Sequence, residues 1–457
     1  MGIKALFQAL NIISKKIHLR KFKGKTIAID GYVLLYKHAF KSAREILVEK
    51  SSKTLVKNCM EFIDLLVGFG ITPFVVFDGA SLPMKLETQS KRTKTRLESF
   101  KKAQEFEKEG NMKEANRFYQ RSVRIRSNNA HDLLVALKKK NIQVLVAPYE
   151  ADPQLAWLSM NGHVDAVLSV DSDLIVLGVK TFIHRWDSKG NAEQIDRKDI
   201  WTIMPYVKDL ATKKISFIEN QKENEKGNEK EKEKEKEKDK EQVQEQEQET
   251  KKAKNITVPF DFRGWKEEKF LRMCVLSGCD FLSNIRGIGI QRAFQFTNST
   301  ESMSQVFELI EQDNRFLIPN GYIERFKLSL LTFLHQKVFD IVNKKLVPLR
   351  PYNPEISWDQ EIENSEKDFS FLGPDIENEI LIKISIGEFD PHTNKPFPEQ
   401  NVINTTNENE NVMNQTNENE NEKEKEEEKE KEKEKDTQME IEKTDIDQEK
   451  EESKENN

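Results

Sequence analysis

Short apolar runs that stop abruptly on a carboxylate punctuate the first 280 residues of this chain. TIAIDGY carries Asp30, FVVFDGA carries Asp78, APYEADPQ carries Glu150 and Asp152, LSVDSDLIVLG carries Asp171 and Asp173, and LSGCDFLS carries Asp280. A β-branched run followed by Asp reads as a buried strand whose last residue projects past the sheet edge. The pattern predicts strands over 25–30, 74–77, 142–146, 166–170 and 181–186. Residues 1–20 read as a short helix and a turn. Residues 31–70 read as helical, with Leu34, Leu35, Phe40, Ile46, Leu47, Leu55, Phe62, Leu65 and Leu66 as core candidates. Residues 84–140 are poor in strand formers and rich in Lys, Arg, Glu and Gln, which predicts long helices; another helix is expected over 152–161, and a helical pattern runs from about 258 to 349. Strands alternating with helices predict an α/β fold with a mostly parallel sheet. In open sheets of that kind, ligands bind outside the carboxyl ends of the strands. The strand-end acids would therefore be delivered to one place.

Two segments break this pattern. Residues 219–254 and 401–457 are Glu/Lys/Asn/Gln runs with almost no apolar residue, including EKEKEKEKEKDKEQVQEQEQ from Glu229 onward. Such runs cannot bury enough apolar area to offset chain entropy. The first is expected to be disordered or a lone charged helix, and the second to have no fold. The first interrupts the core, since Asp173 and Asp280 lie on opposite sides of it. A surface loop tolerates such an insertion, because loop-closure entropy grows only logarithmically with length. About 360 of the 457 residues remain, enough for one large core or a core plus a satellite.

Charge follows the same division. The chain carries −6 overall, but residues 401–457 hold 9 Lys against 21 acids and residues 219–254 hold 11 Lys against 13 acids, which leaves about +8 on the remainder. A basic body around an acidic pit suits a polyanion gripped by its backbone, although a charge this modest also fits an ordinary soluble surface. Cys59, Cys274 and Cys279 show no CxxC pairing, so a reducing compartment and no structural zinc are expected. No run of 18 apolar residues predicts a membrane span. MGIKALFQAL lacks the blocks of a signal peptide, and Leu6 stands where myristoylation after Gly2 would need Ser or Thr.

The acids carry the candidate chemistry. Like charges crowded together repel unless cations neutralise them, and the ions that prefer oxygen ligands are Mg²⁺ or Mn²⁺. That points to two-metal phosphodiester chemistry. One doublet alone also fits a helix N-terminus (Glu150, Asp152) or a turn (Asp171, Asp173). Two doublets together with Asp30 and Asp78 favour a metal site. After Asp280, RGIGIQRA places Arg286, Gly287 and Gly289 in a Gly-x-Gly turn whose backbone N–H groups could meet a phosphate. With no Rossmann-spaced strand before it, a helix–hairpin–helix gripping a DNA backbone fits better than a dinucleotide site. Lys85 and Arg92, seven residues apart, share one face of the helix expected after Asp78 and could clamp a phosphate; by spacing alone, a solvated basic face is the better reading. Tyr32 could stack on a base or sit in the core. The seven histidines form no ligand-spaced pair and read as structural. No P-loop and no Ser–His–Asp constellation is visible.

MGIKAL, TIAIDGY, VVFDGA, APYEAD, the DSD doublet and SGCDFLSNIRGIGIQRA together resemble the flap-endonuclease/XPG-type 5′ nucleases. FDGASLPMK, APYEADPQLAWL and VFDIVNKKLVPLRPY, followed by a segment ending in IGEFDP, resemble the exonuclease 1 branch of that family. The resemblance covers about 1–217 and 255–395. It implies a PIN-like α/β nuclease core with a helical arch and a helix-two-turn-helix DNA-binding region. The implied layout is nuclease regions over 1–99 and 138–217, an arch over 100–137, the charged insertion over 218–256, a helix-two-turn-helix region and helical wrap over 257–395, and an acidic tail over 396–457.

The same resemblance assigns roles. Asp30, Asp78 and Glu150 would serve one divalent ion, and Asp152, Asp171, Asp173 and Asp280 a second. Lys85 and Arg92 would be the catalytic cations of the gateway helix, which overrides the spacing argument. Tyr32 would stack near the scissile nucleotide. Arg286, Gly287 and Gly289 would bind duplex backbone, with a monovalent cation at the hairpin. Tyr36 stands where this branch commonly has His, and no role is assigned to it. The implied activity is a Mg²⁺-dependent 5′→3′ exonuclease on double-stranded DNA with free 5′ ends, nicks or 5′ flaps, with 5′-flap endonuclease activity. The implied setting is mismatch repair, end resection and recombination in the nucleus, as a monomer, with mismatch-repair proteins as partners. A flap- or junction-specific endonuclease and a catalytically inactive DNA-binding scaffold are the alternatives. The charged insertion is atypical of the family, the tail lacks a QxxLxxFF-like sliding-clamp motif, no mismatch-repair partner motif is recognisable, and no clear basic import signal is present.

Overall fold

Seven strands form the central sheet: β1 (Lys15–His18), β2 (Thr26–Asp30), β3 (Thr72–Phe77), β4 (Gln143–Val146), β5 (Ala166–Leu168), β6 (Thr181–His184) and β7 (Asn191–Asp196). Their spatial order is β1-β7-β6-β5-β2-β3-β4. The pairs β3–β4, β2–β3, β2–β5 and β5–β6 are parallel, and β7 pairs antiparallel with β6 and β1. The expected α/β class with a mostly parallel sheet is therefore what the computed structural model shows. It describes residues 2–3, 5–208, 215–217, 256–258, 260–351 and 369–397. The charged insertion and the acidic tail lie almost wholly outside the described residues.

The period-two alternation of strands divides the core in two. Ala28, Val76 and Val167 face one apolar cluster, while Ile27, Ile29, Val75, Phe77 and Leu168 face the other. Both faces are covered, as a parallel sheet requires. The helices are α1 (Leu6–Ala9), α2 (Gly31–Ala39), α3 (Ala43–Leu47), α4 (Lys53–Gly68), α5 (Leu86–Lys108), α6 (Met112–Ser122), α7 (Ser127–Lys139), α8 (Ala151–Met160), α9 (Asp173–Leu177), α10 (Glu267–Leu276), α11 (Ile290–Ser299), α12 (Met303–Gln312), α13 (Tyr322–His335) and α14 (Asn378–Ser385). Helices α2, α4 and α7 supply apolar residues to the second cluster, and α8 to α13 supply the first. Most of the 31–70 core candidates are buried, but Phe40 is 51% exposed because the chain turns between α2 and α3 there.

Three expectations need correction. Residues 15–18 form a strand rather than part of a turn. Lys15 and Lys16 point out to solvent at the edge of the sheet, so β1 has no apolar run to reveal it. Residues 337–348 form a hairpin, β11 (Lys337–Asp340) with β12 (Lys345–Pro348), rather than continuing helix. Asp340 drives that turn by accepting the N–H groups of Val342 and Asn343, and Lys344 takes a positive φ of 52°. Asp280 follows a helix, α10, not a strand. Between β7 and α10, β8 (Tyr206–Lys208), β9 (Ile215–Phe217) and β10 (Ile256–Val258) form a small antiparallel sheet that joins the two sides of the insertion. A last short pair, β13 (Phe389–Asp390) with β14 (Lys395–Pro396), follows α14.

Candidate active site

The chain leaves β2 for β3 on one side, while β5 lies on the other, so the sheet has its topological switch point at β2. Asp30 ends β2, Asp78 follows β3, and Asp171 lies three residues past β5. Glu150 and Asp152 sit at the start of α8, and Asp173 is the first residue of α9. The doublets thus occupy loops and first helical turns rather than extended strand. Asp280 comes from the loop after α10. All these acids except Asp173 line one cavity of about 300 Å³, which Lys85, Arg92 and Tyr32 also line. Asp173 is buried beside it, its backbone N–H donating to Asp171 Oδ1 at 3.0 Å.

Local hydrogen bonds hold the carboxylates in place. Asp30 caps α2 by accepting the Val33 N–H at 2.9 Å and also accepts the Ser169 hydroxyl at 3.1 Å. Asp78 accepts the Ala151 N–H at 2.7 Å, which ties the β3 loop to the start of α8. Gly79 makes this approach possible, because a Cβ there would lie 2.0 Å from the Ala147 carbonyl oxygen. Asp173 accepts the Ile3 N–H at 3.0 Å. Gly2, with a φ of +78°, leaves room for the acids: a Cβ at that position would come within 2.2 Å of Asp171 Oδ1.

Lys85 and Arg92 both reach into the pit, but not from one helix face: Lys85 ends the turn before α5 and Arg92 lies in the helix's second turn. Lys85 Nζ lies 2.7 Å from Glu150 and 3.6 Å from Asp280, and the Arg92 guanidinium bridges both oxygens of Asp280 at 2.9 and 3.0 Å. Burial alone would lower the Lys85 pKa, but Glu150, Asp280 and Asp152 together hold it well above the ordinary value. The acids shift the other way. Burial, with Asp78 as the next cause, pushes Asp30 up to about 7. Burial also raises Asp78, Glu150 and Asp171, and raises Asp152 and Asp173 well above the ordinary range. Two cations do not neutralise seven crowded acids, three of them buried.

The donor chemistry fits oxygen-preferring divalent ions, which would relieve this repulsion. Among the described residues, no three acidic, His or Cys side chains yet share a ligating point. Lys85 lies between Glu150 and Asp280 instead, so binding an ion there requires its ammonium to move.

A stability prediction follows from the raised acids. A carboxylate whose folded pKa exceeds its unfolded value favours folding when protonated, so its contribution is full below about pH 4 and lost as pH rises through the folded value. With metal chelated, the contribution of Asp30 to stability should therefore fall between about pH 4 and pH 7, by on the order of a few kcal/mol. Melting curves in chelator across that window check this, and Asp30→Asn should flatten the dependence.

Tyr32, the second residue of α2, is half-buried on the cavity wall, and burial, reinforced by Asp78, raises its hydroxyl pKa. Exposed His392, at the turn between β13 and β14, lines the same cavity. The histidines gave no sequence signal of this. Ile3 and Ser169 were likewise missed, since a backbone donor and a lone serine carry no motif.

The loop from α10 to α11 holds Asp280 near one end and the Gly-x-Gly turn at the other. Ile285, Ile288 and Ile290 are buried, while Arg286, Gly287 and Gly289 are exposed. Gly287 takes a φ of +90°, which glycine adopts without strain, and Gly289 caps α11 with open space around its Cα.

A parallel sheet that gathers acids and two cations at its switch point defines a class of α/β proteins with a charged pocket at the carboxyl edge. Within that class, the chain matches the XPG N-terminal domain over residues 1–99 and the XPG I-region over residues 141–280, together more than half its length. It belongs to the XPG family. It is similar to Exonuclease 1 of Xenopus laevis (31% identical over 405 residues, 88% of this chain and 47% of that one) and of Arabidopsis thaliana (31% over 402 residues, 88% and 46%). Exodeoxyribonuclease 1 of Schizosaccharomyces pombe is 28% identical over 397 residues, 87% of this chain and 58% of that one. The chain spans about half the length of these curated relatives. Among solved structures, the catalytic core of Rad2 in complex with DNA substrate matches at 14% identity and a TM-score of 0.44, covering 82% of this chain and 88% of that one. Human GEN1 in complex with Holliday junction DNA matches at 17% and 0.43, covering 79% and 72%. Among the described residues, no helix is long and apolar enough to cross a membrane.

Proposed function

We propose that this chain is a Mg²⁺-dependent 5′→3′ exonuclease on double-stranded DNA that also cuts 5′ flaps. One observation carries the reading: carboxylates from five separate segments, Asp30, Asp78, Glu150/Asp152, Asp171 and Asp280, line one pit, with Asp173 buried beside it, and two cations of α5 and its preceding turn also enter it. Asp30, Asp78 and Glu150 would hold one ion, and Asp152, Asp171, Asp173 and Asp280 a second, with Mn²⁺ as an alternative ion. Such ions, when bound, activate a water and stabilise the leaving oxygen.

The chain's own residues do the rest. Lys85 and Arg92 bind the scissile phosphate and offset the charge that grows on it. Tyr32 stacks on the terminal base once that base leaves its pair, which offsets part of an unstacking cost of a few kcal/mol, roughly. Arg286, Gly287 and Gly289 hold duplex backbone away from the cut. No base-reading motif is present, so recognition is by shape and charge. Similarity to Exonuclease 1 over most of the chain favours the exonuclease over a flap- or junction-specific endonuclease, and the complete acid set speaks against an inactive scaffold. The setting that fits is nuclear DNA repair by a monomer, in mismatch repair, end resection and recombination, with mismatch-repair proteins as candidate partners.

The test compares a recessed 5′ end with a 5′ flap of equal duplex length. Mononucleotide release from the recessed end supports the exonuclease. Flap cutting with no release from the recessed end makes the chain an endonuclease.

A further inference from the structure

Family resemblance brings a monovalent cation to the Gly287–Gly289 hairpin, where loop carbonyl oxygens would have to hold it. In this chain three of those oxygens, on Ile285, Gly287 and Ile288, are already engaged by the protein's own side chains. The Asn284 amide donates to the Ile285 and Ile288 carbonyls at 3.1 and 2.8 Å. The Ile285 carbonyl also accepts the Ile288 N–H at 2.8 Å. The Gly287 carbonyl accepts from the Arg292 guanidinium at 2.6 Å. An amide donor leaves a carbonyl some capacity for an ion, but a guanidinium does not leave the place free. It is itself a cation, and like charges a few ångströms apart repel.

The guanidinium is also held in position. Arg292 lies over the Phe316 ring at 5.1 Å, and Arg315 lies over the same ring at 5.5 Å while pairing with Asp313 at 2.6 Å. Phe316 in turn packs close to Gly287, 3.3 Å from where a Cβ would stand. Arg292 is exposed, and a guanidinium has four N–H donors beyond the one given to Gly287.

We propose that Arg292 is the hairpin's built-in cation: it occupies the Gly287 carbonyl in place of a monovalent ion and presents its remaining donors to a backbone phosphate. The phosphate half of this rests on the duplex-binding reading above; the displacement of the ion does not.

The test uses the full chain in chelator, in KCl or in tetramethylammonium chloride at one ionic strength, tetramethylammonium being too bulky to enter a carbonyl site. Melting temperature and the Kd for a blunt duplex are read in each. The expected result for the native chain is the same melting temperature in both salts and a Kd that agrees within about twofold. Arg292→Ala should weaken duplex binding about tenfold in tetramethylammonium, and K⁺ should recover much of that loss by entering the vacated carbonyl. Arg292→Lys should bind closer to the native chain. A K⁺-specific rise in native melting temperature, or a native Kd that weakens more than fivefold without K⁺, overturns the proposal. So does an Arg292→Ala chain that binds as the native one does. If no duplex binds in either salt while the melting temperature still ignores K⁺, the duplex-binding reading fails and the displacement of the ion stands.

Discussion

Asp173→Ala abolishes strand cleavage, by roughly a thousandfold or more, and leaves duplex binding within severalfold. Asp173 opens α9 beside Asp171, buried and held by the Ile3 N–H. In the proposed site its oxygens belong to the second ion, and the backbone grip lies elsewhere, on the hairpin before α11. Loss of the carboxylate therefore removes chemistry without removing affinity. Stability moves differently. Burial and Asp171 hold the Asp173 pKa well above the ordinary range, so at neutral pH the metal-free protein bears the cost of disfavouring the ionised form that the unfolded chain adopts. Asp173→Asn, which keeps an acceptor for Ile3, should be as inactive as the alanine form and melt at or above the native temperature in chelator. Single-turnover cleavage, anisotropy binding and melting curves separate the three effects. Cleavage at native rates would remove Asp173 from the site.

Lys85→Ala and Arg92→Ala should lower kcat by about 10²- to 10³-fold and change KM less, because in the proposed site both cations act on charge that grows as the phosphodiester is cut. The two differ in their effect on folding. Lys85 is enclosed between Glu150 and Asp280, with its side chain 13% exposed, whereas Arg92 is 39% exposed. Removing Lys85 leaves buried acids without their partner, a loss of about 3–5 kcal/mol in comparable buried pairs. Lys85→Ala should therefore destabilise the chelated protein strongly and show a larger rise in melting temperature with Mg²⁺ than the native chain. Arg92→Ala should show the kinetic loss with little change in melting temperature. Equal kinetic losses in kcat and affinity would instead place these residues in simple backbone binding.

The parts of the fold that were legible in the sequence are those where one physical signal dominates. Buried parallel strands need unbroken apolar runs, and TIAID, FVVF and QVLV gave theirs away. Their carboxyl ends carried the acids, so Asp30 and Asp78 were placed by position alone. The antiparallel end of the sheet hid because its edge strand β1 exposes two lysines and the neighbouring β7 is largely polar. The β11–β12 hairpin hid because Asp340 and Lys344 build its turn without the Asn-Gly or Asp-Gly signal. Asp280 was found in the sequence but tied to the wrong kind of element, since a loop after a helix can deliver a carboxylate as well as a strand end does. The spacing of Lys85 and Arg92 suggested a shared helix face, but it could not say that Lys85 stands in the turn before α5 or what either cation meets. Gly2, Ile3 and His392 lay beyond reach, because these residues, distant in sequence from most of the acids, approach the pit only through long-range packing.

The central claim is tested most directly by incubating the full chain with linear duplex DNA labelled at the 5′ end or at the 3′ end, with and without Mg²⁺. The proposed function predicts Mg²⁺-dependent release of 5′-labelled mononucleotides, while the 3′-labelled strand shortens progressively from its 5′ side. Release that persists in chelator, or digestion that begins at the 3′ end, would contradict it.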